Sequence, residues 1–296
     1  MSVILPAYNS VANIRSTVVG VRDVLESSDT PYQIIVVDDG SPDELAPALS
    51  GLGVEVLRNP YRKGPGAAVK AAVGRARGDV VVMMSAEGEH DPHDIPHLVG
   101  PIGDYDLVVG ARSPDALGGF PRRLASHAYN GLASYLSGQK IHDLTSSFRA
   151  FKGDVLRKLV YLFPDEFSYT ATSTIAVIKG GYRMTHVPVK ARESTHKVGP
   201  GIFITILKVV TSFHPLRVFG TASLAAILLG LVSTLLTFYI ERRFHIPNSA
   251  VLLYFLGFLV FLMGLLAEQI AAFRLEYGER FETQGSWEEP VDRSSE

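Results

Sequence analysis

The chain has 296 residues, room for one large domain and something smaller. Its formal net charge of −2 argues against a nucleic-acid binder, which would carry a basic stripe. The absence of cysteine excludes disulfides and thiol chemistry, and it suits a reducing compartment.

The N-terminal MSVILPAYN runs directly into a short strand at Val3–Leu5. It lacks the basic start and long apolar core of a secretory leader, so the catalytic part is expected to be cytoplasmic. Val11, Ile14, Val18, Val21 and Leu25 follow at helical spacing. Gln33–Val37 is a second strand, ending at Asp38-Asp39-Gly40-Ser41. Asp and Ser cap helices and Gly turns, so that segment alone reads equally as a simple turn or as part of a ligand site. Val54–Leu57 is a third strand, Gly66 to Arg77 an Ala-rich helix, and Val80–Met84 a fourth strand. Leu107–Val109 is a fifth, ending at Gly110. Strands spaced by helices predict an α/β fold with a mostly parallel, doubly wound sheet. No internal repeat is visible.

Residues 78–92, GDVVVMMSAEGEHDP, carry the sharpest chemical signal. A buried-strand run ends in Glu87, Glu89 and Asp91, with His90 and Pro92 among them. This puts charge at the carboxyl end of a strand, where open α/β sheets bind ligands. Hard oxygen ligands two residues apart suit Mg²⁺ or Mn²⁺ holding a diphosphate. A solvated acidic turn is the plainer alternative, and the segment alone leaves both open.

Residues 122–137 form an amphipathic helix with Arg122, Ser126 and Asn130 on one face. Phe151–Phe163 and Thr170–Lys179 read as further helices. Arg183–Lys190 reads as an edge strand, since Pro188 suits an edge better than a centre. The apolar IFITILKVV within 200–214 reads as a helix lying in a membrane interface. Val218–Ile240 and Ser249–Ala267 then run 23 and 19 residues without a charge. A membrane-crossing helix needs about 20 such residues. The short, Pro247-containing link between them predicts a hairpin of two spans. Lys208, Arg217, Arg274 and Arg280 favour an inner location for both flanks, although Arg242 and Arg243 fall in the proposed outer loop. The final GSWEEPVDRSSE is polar and acidic and is expected to be disordered. The expected organisation is a catalytic domain at 1–198, an interfacial helix at 199–215, a hairpin at 216–272 and a polar cytoplasmic tail at 273–296.

Six segments in order resemble the family-two glycosyltransferases of GT-A fold, and among them the polyprenyl-phosphate glycosyltransferases, the group that includes dolichyl-phosphate mannose synthase. They are ILPAYNS (4–10), IIVVDDGSPD (34–43), the run from Gly64 to Val99, GAR (110–112), RRLASHAYN (122–130) and DLTSSFRAF (143–151). The resemblance spans roughly residues 1–200. It implies inverting transfer of a sugar from a nucleoside-diphosphate sugar to a dolichyl or undecaprenyl phosphate at the cytoplasmic membrane face. The donor would contact Pro6, Ala7, Tyr8, Asp38, Asp39, Ser85 and Ala86. Glu87 and Glu89 would hold Mg²⁺ or Mn²⁺. Arg112, Arg122 and Ser126 would take the acceptor phosphate, with Arg192 and Lys197 as further acceptor-side candidates. Asp143, Thr145 and Arg149 match a family element near the active site, for chemistry or for support. Arg123, turned about 100° from Arg122 on the helix, is expected to be solvated or near lipid headgroups. Partners are thus the nucleotide sugar, the lipid phosphate and the membrane, with no nucleic acid and with self-association open.

The chain departs from the family pattern at the acidic stretch. Ser85 stands for the first Asp of Asp-Ala-Asp, Glu87 for the second, and Glu89 for a following Gln. Ser10 replaces the Glu of the family's opening Pro-Ala-Tyr-Asn-Glu. Two other readings follow from the same residues. One is a non-catalytic membrane scaffold that lost its chemistry with Ser85. The other is a processive polysaccharide synthase, which would carry a Gln-x-x-Arg-Trp element; the single Trp287 lies in the tail outside any such element.

Overall fold

The computed structural model describes residues 1–28, 30–113, 120–165, 169–192, 211, 215–242 and 245–284, without the side chains of 120–122, 125, 136 and 274–284. The chain forms two units, Met1–Ile206 and Leu207–Glu296.

The first unit is built on a seven-stranded sheet of β1 (Ser2–Ala7), β2 (Gln33–Asp38), β3 (Glu55–Arg58), β4 (Val80–Met83), β5 (Leu107–Arg112), β6 (Arg149–Lys152) and β7 (Met184–Val189). Their order is β3-β2-β1-β4-β6-β5-β7. All pairs are parallel except those of β6, which runs antiparallel to β4 and β5. β1, β2 and β4 are apolar and nearly fully buried, as strands covered on both faces must be. The helix α1 (Val11–Glu26) covers one face with Ile14, Thr17, Val18, Val21 and Leu25. Each such aliphatic side chain contributes about 1.5–3 kcal/mol on burial. Val11, at the first helical position, is 37% exposed and is not part of that stripe. The other helices of this unit are α2 (Pro65–Val73), α3 (Ile95–Val99), α4 (Phe120–Ser137), α5 (Gly153–Leu159) and α6 (Tyr169–Lys179).

Two readings need correction. The helix expected from Phe151 starts only at Gly153, because Arg149–Lys152 is the antiparallel strand β6. Gly153 makes the switch: its N–H donates to the Asp79 carbonyl at 2.6 Å, and a Cβ there would lie 2.5 Å from the Gly78 oxygen. The strand at Leu107 also extends to Arg112, pairing with β7 along its whole length, and this brings Arg112 into the sheet. β7 is an edge strand, with Pro188 in register with Ala111.

The second unit consists of α7 (Pro215–Glu241) and α8 (Asn248–Gln284), an antiparallel pair, each long and apolar enough to cross a membrane. Small residues let the backbones approach. The Ser223 hydroxyl donates to the Gly257 carbonyl at 2.7 Å, and Thr234 meets the Tyr254 hydroxyl at 3.1 Å. Outward-facing Leu229, Leu236, Phe255 and Leu266 are exposed. Small residues between helices and large apolar ones outside match packing in lipid rather than a water-soluble core. The interfacial helix expected over 199–215 and the disordered end expected over 285–296 lie almost wholly outside the described residues, as does Lys197.

Candidate functional site

The pairing pattern brings the chemistry to one edge of the sheet. β1, β2, β4, β5 and β7 run in one direction and β6 in the other. The carboxyl ends of the first five therefore meet the amino end of β6. Tyr8, Asp38–Asp39, Ser85–Glu89, Arg112, Arg192 and the 143–149 segment all project from that edge. After β3 the chain crosses back to place β4 on the other side of β1, and this reversal is where open α/β sheets form a crevice.

On the β1–β2 side, the Arg62 guanidinium lies 4.1 Å from the centre of the Tyr8 ring, which is itself 37% exposed. Pro6 and Ala7 complete β1 beneath it. The carboxylate of Asp39 is already engaged: it accepts from Asn59 Nδ2 at 2.8 Å, from the Lys63 N–H at 3.0 Å and from the Gly64 N–H at 2.8 Å. Asp38 Oδ1 accepts from the Ser41 N–H at 2.9 Å, and Arg58 Nε stands 3.6 Å from Oδ2. Both aspartates are buried, and in this state they shape the loops around Tyr8. The amino end of α2 is likewise occupied, since the N–H groups of Gly66 and Ala67 donate to the Asp165 carbonyl. The glycine-rich 64–66 turn is therefore a packing feature and not an open phosphate cradle.

The acidic turn follows β4 directly. Ser85 Oγ accepts the Glu87 N–H at 3.2 Å, and Asn13 Nδ2 of α1 donates to the Glu87 carbonyl at 3.3 Å. Ala86 is buried beneath the turn, and Gly88 takes the left-handed region at φ +76°. Past it, the Glu89 carbonyl accepts the Arg192 N–H at 2.8 Å, and His90 forms a bridge with Ala191. Two candidates far apart in sequence, Glu89 and Arg192, thus share a backbone contact. Among the described residues no group of three or more His, Asp or Glu side chains is arranged to hold a metal ion. Two carboxylates nonetheless fit Mg²⁺, which takes one or two protein carboxylates and completes its shell with water and substrate phosphate.

Arg112 is held tightly at the end of β5. Its Nε and Nη2 donate to the two oxygens of Asp143 at 2.8 and 3.0 Å, and Nη2 also reaches Thr145 Oγ1. Burial works against charge on both partners. The mutual hydrogen bonds and attraction win, raising Arg112 and lowering Asp143, with the Glu89 charge adding to the rise at Arg112. Arg149 is fully buried and donates to the carbonyls of Ser146 and Thr170 and to the Ser173 and Thr174 hydroxyls. Desolvation lowers it to about 10, so it keeps its charge at neutral pH. Tyr129 and Tyr169 are pushed up to about 12 by burial and are neutral.

Arg122 and Ser126 lie one turn apart on α4, as the spacing predicts. The Arg122 side chain is outside the description, and Ser126 is half-buried. Asn130 docks α4 onto the 141–144 segment: Nδ2 donates to the His142 carbonyl at 2.7 Å and Oδ1 accepts the Leu144 N–H at 3.1 Å. Ser134 Oγ accepts the Ile141 N–H at 2.9 Å. The helix of Arg122 and Ser126 is thereby stapled to the segment whose Asp143 fixes Arg112. Arg123, expected to be solvated or near lipid headgroups, is half-buried and engaged. Sequence reasoning passed over Asn13 and Arg62, which carry no signal beyond being polar, and it placed Asn130 on the face of Arg122 and Ser126 without giving it a role. It named His90 and Asp143 without assigning either a role, although both stand inside the quoted motifs.

Residues 2–160 match the family model described as glycosyl transferase family 2, more than half of the chain. The chain belongs to that family. Residues 214–273 match a second model, the GtrB C-terminal hairpin, which covers α7 and most of α8. An undecaprenyl-phosphate mannosyltransferase of Micrococcus luteus is 30% identical over 200 residues, 63% of this chain and 81% of that protein. An undecaprenyl-phosphate 4-deoxy-4-formamido-L-arabinose transferase of Sodalis glossinidius is 25% identical over 297 residues, 91% of this chain and 88% of that one. Among solved structures, Mycobacterium tuberculosis glucosyl-3-phosphoglycerate synthase superposes with a TM-score of 0.57 at 22% identity, covering 71% of this chain and 80% of that one. That likeness supports the GT-A fold of the family-2 domain and its mixed, mostly parallel sheet.

Proposed function

We propose that this family-2 protein transfers a sugar, with inversion, from a nucleoside-diphosphate sugar to a polyprenyl phosphate at the cytoplasmic face of a membrane. The observation that carries the reading is the convergence on one sheet edge of Tyr8, the Ser85–Glu89 turn and Arg112, in a chain that also carries the hairpin. The similarity to transferases acting on undecaprenyl phosphate supports the acceptor. The apolar hairpin supports a membrane anchor, bringing the catalytic domain close to an insoluble acceptor.

In this reading the donor's base and ribose rest against Pro6, Ala7, Tyr8 and the loops shaped by Asp38 and Asp39, with Ser85 and Ala86 below the sugar. Glu87 and Glu89 hold Mg²⁺ or Mn²⁺, which would supply Lewis-acid neutralisation of the leaving diphosphate. Arg112, Arg122 and Ser126 hold the acceptor phosphate, with Arg192 and Lys197 as further acceptor candidates. A phosphate monoester has its second pKa at about 6, so near neutral pH its oxygen is already ionised. That oxygen attacks the anomeric carbon, the bond to the diphosphate breaks, and nucleoside diphosphate leaves with the bonding electrons. No protein base is required. The residues' work is to orient the nucleophile and control its charge, a task suited to planar guanidinium groups.

The test is incubation of the purified protein with Mg²⁺ or Mn²⁺, a panel of labelled nucleotide sugars and a polyprenyl phosphate. Label moving into the lipid fraction supports the proposal. Nucleotide binding without transfer from any donor would overturn it in favour of a scaffold role.

A further inference from the structure

His90 is the one buried side chain in the site's vicinity, among the described residues, with no hydrogen-bond partner at either ring nitrogen. It is 4% exposed. Its ring packs against Phe148 with centroids 5.1 Å apart, and its backbone is bridged to Ala191. Desolvation, and then the Arg112 charge, lowers it to about 4, with Asp143 acting in the opposite sense. The ring therefore lies in the electrostatic reach of the Arg112–Asp143 pair. A buried imidazole that serves only to pack leaves a donor and an acceptor unsatisfied, and an apolar ring of the same size would do better. Native proteins tolerate such a group where a ligand supplies the partner.

The neighbouring guanidinium points the same way. Arg112 spends Nε and Nη2 on Asp143 and Thr145, while Nη1 has no hydrogen-bond partner among the described residues. Val189 is in register with Arg112, and Ala191, two residues on, is bridged to His90, so the end of β7 links the strand end that carries this N–H pair to the orphaned imidazole of the acidic turn. Among ligands with clustered strong acceptors, a phosphate group suits two such donors.

We propose that His90 is a positioning residue for phosphate: its ring N–H donates to a phosphate oxygen held at Nη1 of Arg112. Both ring nitrogens are covered in the free protein, so the contact forms as the 85–90 turn shifts on binding. The inference deepens the transferase reading and rests on it for the identity of the phosphate, which belongs either to the lipid acceptor or to the donor diphosphate.

The experiment has a binding arm and a kinetic arm. Inorganic phosphate is titrated into wild-type protein labelled with ¹⁵N-histidine, and the His90 ring signals are assigned by their loss in His90→Gln. A saturable shift of those signals supports the proposal, whether or not any sugar is transferred. Ring signals that stay fixed at saturating phosphate overturn it. In the kinetic arm, His90→Phe keeps the contact with Phe148 but removes the N–H. It should raise KM for one phosphate substrate about tenfold, without loss of thermal stability. His90→Gln, which keeps a donor, should recover most of that loss. A rise confined to the lipid phosphate assigns the acceptor, and one confined to the nucleotide sugar assigns the donor. Unchanged KM values for both substrates, or an equal rise in both, overturn the proposal. An inactive wild type across the donor panel defeats the transferase reading instead and leaves the phosphate titration standing as the test.

Discussion

The guanidinium of Arg112 closes on the carboxylate of Asp143 through two hydrogen bonds of 2.8 and 3.0 Å, with both side chains at least nine-tenths buried. The Arg112 backbone N–H adds a third contact to the same carboxylate at 3.3 Å. The pair joins the end of β5 to the segment leading into β6 and fixes the direction in which the remaining Nη1 points. Because Arg112 is positioned by a carboxylate, its availability to a phosphate depends on that carboxylate's ionisation.

The first prediction concerns acid stability. Asp143 is held below the ordinary value of 3.8, because the Arg112 hydrogen bonds outweigh burial. A carboxyl group lowered on folding binds its proton more readily in the unfolded chain. Its contribution is therefore complete above about pH 4 and is lost as pH falls through the folded value. Asp143→Asn should lower stability at neutral pH by about 3–5 kcal/mol, the typical loss when one partner of a buried pair is removed. It should also flatten the acid limb of a stability-against-pH curve followed by circular dichroism. An unchanged acid limb would mean that the pair does not titrate with folding.

The second prediction concerns the acidic turn. Glu87→Gln preserves size and removes a charge, so turnover should fall by two orders of magnitude or more, on the order of a lost electrostatic contact to the leaving group, with folding little changed. Ser85 uses its hydroxyl to accept the Glu87 N–H, a role that an Asp oxygen fills equally well. Ser85→Asp should keep the turn, leave a second oxygen over and tighten Mn²⁺ binding measured by calorimetry. Full activity of Glu87→Gln in excess chelator would remove the metal from the mechanism.

How far the sequence carried these arguments differs by element. β1, β2 and β4 were legible because strands buried on both faces are written as unbroken runs such as Gln33–Val37 and Val80–Met84. α1 was legible through the 3.6-residue recurrence of its apolar positions. β6 was not, since four residues are too few to display a period and its partners β4 and β5 are distant in sequence. The location of Glu87 and Glu89 past a strand end was readable from local pattern, whereas Arg112 came from the family resemblance and its strand was read as ending at Gly110. The partner of Arg112 was not readable, because Asp143 lies 31 residues away and long-range pairing leaves no local trace. The engagement of Asp39 by the 59–64 loop was hidden for the same reason. The family resemblance supplied the order of the motifs, while the hydrogen bonds that join them came from the fold.

The third prediction concerns the hairpin. A Cβ on Gly257 would lie 2.8 Å from Ile227 Cγ1 and 3.1 Å from the Ser223 carbonyl oxygen. Gly257→Leu should therefore separate α7 from α8 and destabilise the pair by about 1–3 kcal/mol, as overpacking does. Unfolding by dodecyl sulfate in mixed micelles measures this. Val251→Leu, at an exposed position of α8, is the control. The full chain should stay with membranes through carbonate and high-salt washes. Its release by either wash would refute the spanning assignment.

The last prediction concerns the acceptor half of the site. Arg122 and Ser126 share a face of α4, and Asn130 fixes that helix against the segment holding Arg112. Arg122→Ala should raise KM for the lipid phosphate and lower kcat together, because it removes both positioning and charge control of the nucleophile. A combined loss of about 10²-fold or more in kcat/KM is the expected scale for misplacing a reacting group. Arg122→Lys should recover only part of it, since an ammonium does not reproduce the planar fork. Nucleotide-sugar binding, read by calorimetry, should be nearly unchanged in both variants, because donor and acceptor meet the reacting carbon from opposite sides. Arg123 gives the comparison: it is half-buried and engaged, so Arg123→Ala should lower thermal stability while leaving KM for the lipid near wild type. If Arg123→Ala abolishes acceptor use and Arg122→Ala does not, the face of α4 that meets the phosphate is the other one. If both weaken nucleotide-sugar binding instead, the arginines serve the diphosphate, and the division of this edge into donor and acceptor halves is wrong.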